Sequence, residues 1–433
     1  MLGTELRGLS VLPRSTAADG GVECALAETG RGVALVAAGD GAAFEGERGD
    51  GVLVGPLSAH NAAALRERFA WLRPRPLGLR SSIGLGDRLG LATPGHVRAL
   101  RAAGTSLAPV LAQQSVRELD RTGRTARDVL DAATWGAFAE GWRDGYGADA
   151  DHLKTPEDVD RFAALGYTMY TIDPSDHVPG GEPVTRHAGA SAGPVTLTEE
   201  DALAASAKYG AALDHVAAMY EHVRDRVGRF ELEVSVDETE EPTTPAEHLY
   251  IALELRRRGV EWVSLAPRFP GRFEKGIDYI GDIERFAADF AVHAAIADAL
   301  GPYKLSLHSG SDKLGLYPAI AGRPVHVKTS GTSYLEALQV VAEHDPPLFR
   351  RLYALARERF ATERASYAVT VDPDRLPAPG AATLDDPDVR RVLHVTFGSV
   401  LADGALAARV GGLREEYAAA LERHLARHLE PFA

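Results

Sequence analysis

The sequence predicts an α/β protein built as a TIM-like (β/α)8 barrel, with a small N-terminal β-rich subdomain and a C-terminal helical extension. Three observations carry that expectation. From residue 75 onward, short β-type runs alternate with longer amphipathic helical runs, as in βαβ units around a parallel sheet. Eight such units fit within about 260 residues, a usual size for a barrel. Several strand candidates also direct ionisable groups to one face, where a purely structural barrel would carry Val, Ile and Leu. The expected divisions are residues 1–72 for the β-rich subdomain, 73–344 for the catalytic barrel and 345–433 for the helical extension packed on it.

The N-terminal part is rich in Gly and Ala, with β-like runs at 33–36 and 52–54. The barrel strands are expected at 76–82, 106–112, 145–151, 167–173, 230–237, 262–266, 304–308 and 325–328. Between them lie helical runs, among them 156–165, 199–227, 245–258 and 280–300, and 415–428 is the clearest helix of the extension. Alternation then sorts each strand into faces. In strand five, Leu232, Val234 and Val236 face the helices, so Glu231, Glu233, Ser235 and Asp237 point inward. Strand seven sends Lys304, Ser306 and His308 inward, and strand eight sends His326 and Lys328.

Composition narrows the partners. With 45% hydrophobic and 25% charged residues, the chain has an ordinary globular composition. The net charge of −14 argues against nucleic acid or an anionic membrane surface, leaving a small molecule as the expected partner. A homo-oligomer is compatible with this reading. The single cysteine, Cys24, excludes a disulfide framework and a thiolate zinc site, so any metal is held by His and carboxylates. The N-terminus shows no basic region followed by an apolar run, and no stretch approaches a membrane span, which makes a cytoplasmic enzyme the default expectation. Only six of the 47 basic residues are lysine: Lys154, Lys208, Lys275, Lys304, Lys313 and Lys328. Where arginine is the generic surface cation, each lysine marks a place that wants a compact ammonium.

The candidate site follows from the strand ends. His308 closes strand seven on the barrel face where active sites lie, and reads as a metal ligand through neutral imidazole; the plainer alternative is a loop histidine bonded to backbone. His326 lies near it on the next strand, one layer deeper. Lys328 at the rim can bind a carboxylate or polarise an oxygen. Three carboxylates among four inward positions of strand five need a cation, either a divalent ion or a basic side chain across the barrel. Glu233 is the expected ligand there, since Glu231 lies nearer the floor, while Asp237 and Glu238 suit acid/base work. Asp149, Asp151, His152 and Lys154 end strand three, where His152 is a candidate ligand and Asp151 a candidate acid/base. Asp173 ends strand four. The glycine-rich turn after strand one lacks the GxGxxG spacing of a dinucleotide loop and is expected to present Asp87 and Arg88 to substrate. Arg268, Lys313, Gln113 and Gln114 are further substrate contacts by position. No P-loop is present, and His394 reads as a buried structural histidine.

Taken together, Gly84–His96 (GLGDRLGLATPGH), Ala148–Thr155 (ADADHLKT), Glu233–Thr239 (EVSVDET), His308–Lys313 (HSGSDK) and His326–Leu335 (HVKTSGTSYL) resemble the tagaturonate epimerases of bacterial hexuronate metabolism. The resemblance spans about residues 78–400. It implies a barrel enzyme that interconverts D-tagaturonate and D-fructuronate with a divalent metal (Zn, Mn, Co or Ni). Since those ketouronates differ at the carbon β to the ketone, the expected chemistry is retro-aldol cleavage and re-addition, with Asp151, Asp237 and Lys328 as acid/base groups. Glu233, His308, His326 and His152 are then the expected ligands. A metal-dependent aldolase or isomerase of another sugar acid, and a non-catalytic sugar-acid-binding barrel, are the competing readings.

Overall fold

A computed structural model describes residues 5–6, 9–30, 32–40, 43–49, 51–367 and 369–433. Eight parallel strands close into a barrel: Ser82–Leu85, Ala108–Ser115, Gly147–Leu153, Met169–Ile172, Glu231–Val236, Ser264–Pro267, Lys304–Leu307 and Val325–Thr329. Each pairs with the next in sequence, and the eighth returns to the first through His326 opposite Ser82 and Lys328 opposite Gly84. Before the barrel, an antiparallel sheet of seven described strands runs from Glu5 to Gly55. Among the described residues, no helix is long and apolar enough to cross a membrane.

The strand order matches the sequence expectation, but the first strand is displaced. The run at 76–82 contributes only Ser82 to a strand that continues through Gly84 to Leu85. Two physical causes account for this. The backbone N–H groups of Leu77 and Gly78 are taken by the Glu231 carboxylate, which ties this run across the barrel floor. Gly84, read in sequence as part of a turn, is a strand residue because its backbone pairs with Lys328 on one side and Val110 on the other.

The helices start where local chemistry fixes them. Those beginning after Ser115, Thr125, Thr155, Thr198 and Thr244 each carry a full capping box, closed by Glu118, Asp128, Asp158, Asp201 and Glu247 respectively. Each box satisfies two otherwise orphaned N–H groups and places a carboxylate at the positive end of the helix dipole. After strand seven the helix shrinks to one turn, Tyr317–Ile320, and the chain from Leu307 to Leu314 becomes a loop over the barrel mouth.

The chain beyond strand eight is helical, including Pro346–Glu363, Pro387–Val395 and Arg414–Leu429. These helices share an apolar core with the helix Thr332–His344, built from residues such as Leu338, Phe349, Leu352, Leu393 and Leu421. At roughly 25 cal/mol per Å2 of apolar surface, burial in that core holds the extension, and Leu425, Leu429 and Phe432 join the larger core of the barrel. The extension is more than a buttress: Tyr367, Val369 and His394 line the cavity at the barrel mouth.

Candidate active site

At the C-terminal end of the barrel strands lies a cavity of about 480 Å3, within the range of small-molecule sites. Its floor is an ionic cluster centred on Lys328. The Nζ atom lies 2.9 Å from Asp149 Oδ2, 2.6 Å from Asp151 Oδ1 and 2.9 Å from Glu233 Oε1, and donates to Thr171 Oγ1 at 2.8 Å. Burying such ions costs several kcal/mol each, offset only when the pairing is complete. Burial alone would push the Lys328 ammonium down, but Asp149, Asp151 and Glu233 overcome it and hold the group well above its ordinary value. Burial likewise raises Asp149, to about 6, against the pull of Lys328. Asp151 and Glu233 stay ionised. Burial opposes their charge, yet His152 with Lys328 holds Asp151 down, and Lys328 with His308 holds Glu233 down.

Two imidazoles stand above this floor. His152 lies within a register shift between Ala150 and Leu153 in strand three, and its φ of 55° is left-handed. A bulge with a non-glycine residue in that region re-aims a side chain at some cost in strain, a feature that gathers at functional sites. His152 Nδ1 meets Asp151 Oδ1 at 2.7 Å, and the ring centroid lies 4.9 Å from that of His308. His308 bridges two carboxylates of strand five: its Nε2 is 2.5 Å from Glu233 Oε1 and its Nδ1 is 3.2 Å from Asp237 Oδ1. Burial would lower both imidazoles. Asp151 nevertheless raises His152 to about 10, and Asp237 with Glu233 raises His308 despite Lys328.

The charge count bears on a metal. Four carboxylates (Asp149, Asp151, Glu233, Asp237) gather here with the Lys328 ammonium and with Lys304, which acts on Asp149 and Glu233, and protons on His152 and His308 supply two further positive charges. A divalent ion carries the same charge. Ligand atoms of His152, Asp237 and His308 lie within 4.8 Å of one another, and an overlapping group joins His152, Asp173 and Glu238. Among the described residues, buried Glu233 Oε2 has no hydrogen-bond partner. Imidazole with carboxylate suits Zn, Mn, Co or Ni, so the residues fit such an ion.

The other residues singled out in the sequence fall into three groups. Arg88, Gln113 and Arg268 line the cavity: Arg88 pairs with Glu118 and lies 3.8 Å over the Phe397 ring, and Gln113 Nε2 donates to Asp151 Oδ2 at 3.1 Å. His326 sits one layer deeper, its Nδ1 2.8 Å from Ser82 Oγ; burial pushes it down to about 3, so it is neutral. Asp87, Lys154, Asp173, Lys313 and Gln114 are engaged outside the cavity wall. Asp87 accepts from the N–H groups of Leu89, Gly90 and Ala92, and Lys154 pairs with Asp176 and lies 3.7 Å from Asp173. Lys313 donates to the carbonyls of Glu274, Ile277 and Ser311, and Gln114 bonds Thr122 and Arg124.

Among the residues not singled out in the sequence for the site are Thr171, in the Lys328 cluster, and Lys275 and His394, which line the cavity. Thr171 and Lys275 gave no pattern signal, apart from the rarity of lysine. His394 lines the cavity with neither ring nitrogen hydrogen-bonded among the described residues, which sets it apart from a satisfied structural histidine.

Comparison with known proteins bears on the same site. The family profile described as tagaturonate epimerase matches residues 29–188 and 184–432. A curated relative, the tagaturonate/fructuronate epimerase of Thermotoga maritima, is 41% identical, with 98% of this chain and 97% of the relative aligned. Crystal structures of the fructuronate-tagaturonate epimerase UxaE from Cohnella laeviribosi superpose closely. The native form gives a TM-score of 0.92 at 36% identity over 98% of this chain and 97% of that one. A glycerol complex gives 0.90 at 36% identity over 98% and 96%.

Proposed function

The chain belongs to the tagaturonate epimerase family, and from that premise we propose that it is a metal-dependent isomerase interconverting D-tagaturonate and D-fructuronate by retro-aldol cleavage and re-addition. The observation that carries the reading is the union, at one barrel mouth, of two imidazoles and a carboxylate at ligand spacing with a buried lysine and its acids.

The substrates dictate the route. A proton taken from the carbon β to the ketone would leave a carbanion with no adjacent carbonyl to share its charge. Taking the hydroxyl proton from that carbon instead lets the neighbouring C–C bond break. The hydroxyl oxygen becomes the aldehyde oxygen, and the bonding pair passes into the former ketone as an enediolate. The aldehyde then turns its other face, the bond re-forms, and the proton returns to the new hydroxyl.

His152, His308 and Asp237 would hold the ion, with the free Oε2 of Glu233 behind them, so Asp237 serves better as a ligand than as an acid/base group. When bound, the ion supplies Lewis acidity toward the substrate oxygens. Asp151 lines the cavity, is fixed by Lys328 and Gln113, and takes and returns the hydroxyl proton. Lys328 stays protonated, placing positive charge where the enediolate develops its negative charge. His326, neutral and turned to Ser82, supports this layer from beneath. The test is turnover in deuterated water after chelation and reloading with Mn, Zn, Co or Ni. The expected product carries no deuterium at the epimerised carbon, and activity disappears with the metal; deuterium at that carbon would overturn the retro-aldol route.

A further inference from the structure

We propose that Lys275 and Ser309 form the receptor for the substrate carboxylate, and that this contact selects ketouronates over neutral ketohexoses. The proposal rests on the ketouronate reading above and names the group that recognises its charge.

The cavity wall carries several cations, most of them already paired. Arg88 is held by Glu118 at 2.8 Å, Arg117 by Glu238 at 3.1 Å, and Arg272 lies 3.7 Å from Glu274. Arg268 gives its guanidinium to the Thr239 carbonyl. Lys275, half-buried in the loop after strand six, bonds the neutral Ser309 Oγ at 2.9 Å and, among the described residues, has no carboxylate within ion-pair distance. Burial pushes its ammonium down, with Asp237 acting against that only from a distance. A cavity cation left with a neutral partner is stabilised by an incoming anion, and it can spend its charge on ligand in place of protein.

The donor arithmetic fits a carboxylate. An ammonium has three N–H groups, one of them given to Ser309; the serine hydroxyl accepts that bond and keeps its own proton to donate. Two N–H groups and one O–H therefore remain for a carboxylate's two oxygens. His394, buried in the same wall with both ring nitrogens unpartnered, feels the Lys275 charge and can add a further donor. Ser309 directly follows His308, and both line the same cavity, so the receptor neighbours the proposed ligand group.

The location has a consequence for the reaction. When the C–C bond breaks, the carboxylate stays with the aldehyde fragment. Anchored at Lys275, that fragment can rotate about the bond next to its aldehyde carbon and still be retained for re-addition.

Binding separates this proposal from the assigned reaction. D-tagaturonate and D-tagatose are titrated calorimetrically into wild type, Lys275→Gln and Lys275→Arg, with turnover of wild type measured in parallel. The expected result is a 10- to 100-fold weaker Kd for D-tagaturonate in Lys275→Gln, the order of one lost charge-assisted contact. D-tagatose binding should change less than threefold, and Lys275→Arg should recover part of the loss. Trapping with a carbonyl reagent should also show more escaped aldehyde from Lys275→Gln. D-tagaturonate binding by Lys275→Gln within twofold of wild type overturns the proposal, as does an equal loss for both sugars; a matching loss in Arg268→Gln alone moves the receptor to Arg268. Absence of wild-type epimerisation with binding intact would refute the reaction and leave the carboxylate receptor standing.

Discussion

His424→Gln should destabilise the protein in a pH-dependent way, because His424 is the centre of a buried clamp joining the C-terminal helix to the loop that bears His308. Its Nε2 lies 2.6 Å from Asp312 Oδ1 and its Nδ1 2.8 Å from Glu336 Oε1, while Arg390 holds the other Asp312 oxygen at 3.0 Å. His428 Nε2 accepts the Asp312 N–H at 3.1 Å, and Asp312 itself has a left-handed φ of 59°. Burial would lower the His424 imidazole, but the bonds to Asp312 and Glu336 raise it from 6.5 to about 9. At 1.36 kcal/mol per unit, that rise is worth about 3 kcal/mol to the fold. A raised pKa means the folded state binds the proton more tightly than the unfolded chain. The stabilisation is therefore full below about pH 6.5 and is lost as pH rises through about 9. Urea unfolding of metal-stripped wild type and His424→Gln should show a gap of about 3 kcal/mol at the low end of that window, shrinking to a residual packing term above it. A gap that stays constant across the window would refute the imidazolium clamp and leave His424 as packing alone.

Lys328→Met should leave Asp149, Asp151 and Glu233 facing one another, costing about 3–5 kcal/mol in the metal-stripped protein by urea unfolding. Its kcat should fall on the order of 10²–10³-fold, the scale of one lost charge-stabilising donor, and Lys328→Arg should not restore it, since a planar fork cannot replace a point charge among three acids. A Lys328→Met enzyme with wild-type kcat would remove Lys328 from the reaction. Glu231→Gln, at the floor end of strand five, should cost about 1–3 kcal/mol by weakening the acceptor of the Leu77 and Gly78 N–H groups. Its kcat and KM should remain within twofold of wild type; a large kinetic defect would mean that the barrel floor and mouth are coupled.

What the sequence could reveal depended on whether the chemistry was local. Alternation along strand five is a local property, and it placed Glu231, Glu233 and Asp237 inward without knowledge of their partners. The capping boxes and strand-helix alternation are local too, which is why the barrel was legible. The first strand was misplaced because its evidence is distant: a carboxylate far along the chain claims the Leu77 and Gly78 amides, and pairing with Val110 and Lys328 draws Gly84 into the strand. The same division runs through the site. His152, His308 and Lys328 stand at strand ends, where position alone marks them. Lys275 and Ser309 meet between two loops, and His394 enters from the extension, so no spacing rule joins them. The lysine count was the one signal that crossed this distance, and it was ambiguous by itself. Lys328 is surrounded by acids, Lys313 by carbonyls and Lys154 by Asp176, so for each the protein already supplies the counterpart. Among the described residues Lys275 bonds only a serine, and a charge held at a cavity wall without its counterpart is a charge kept for the ligand.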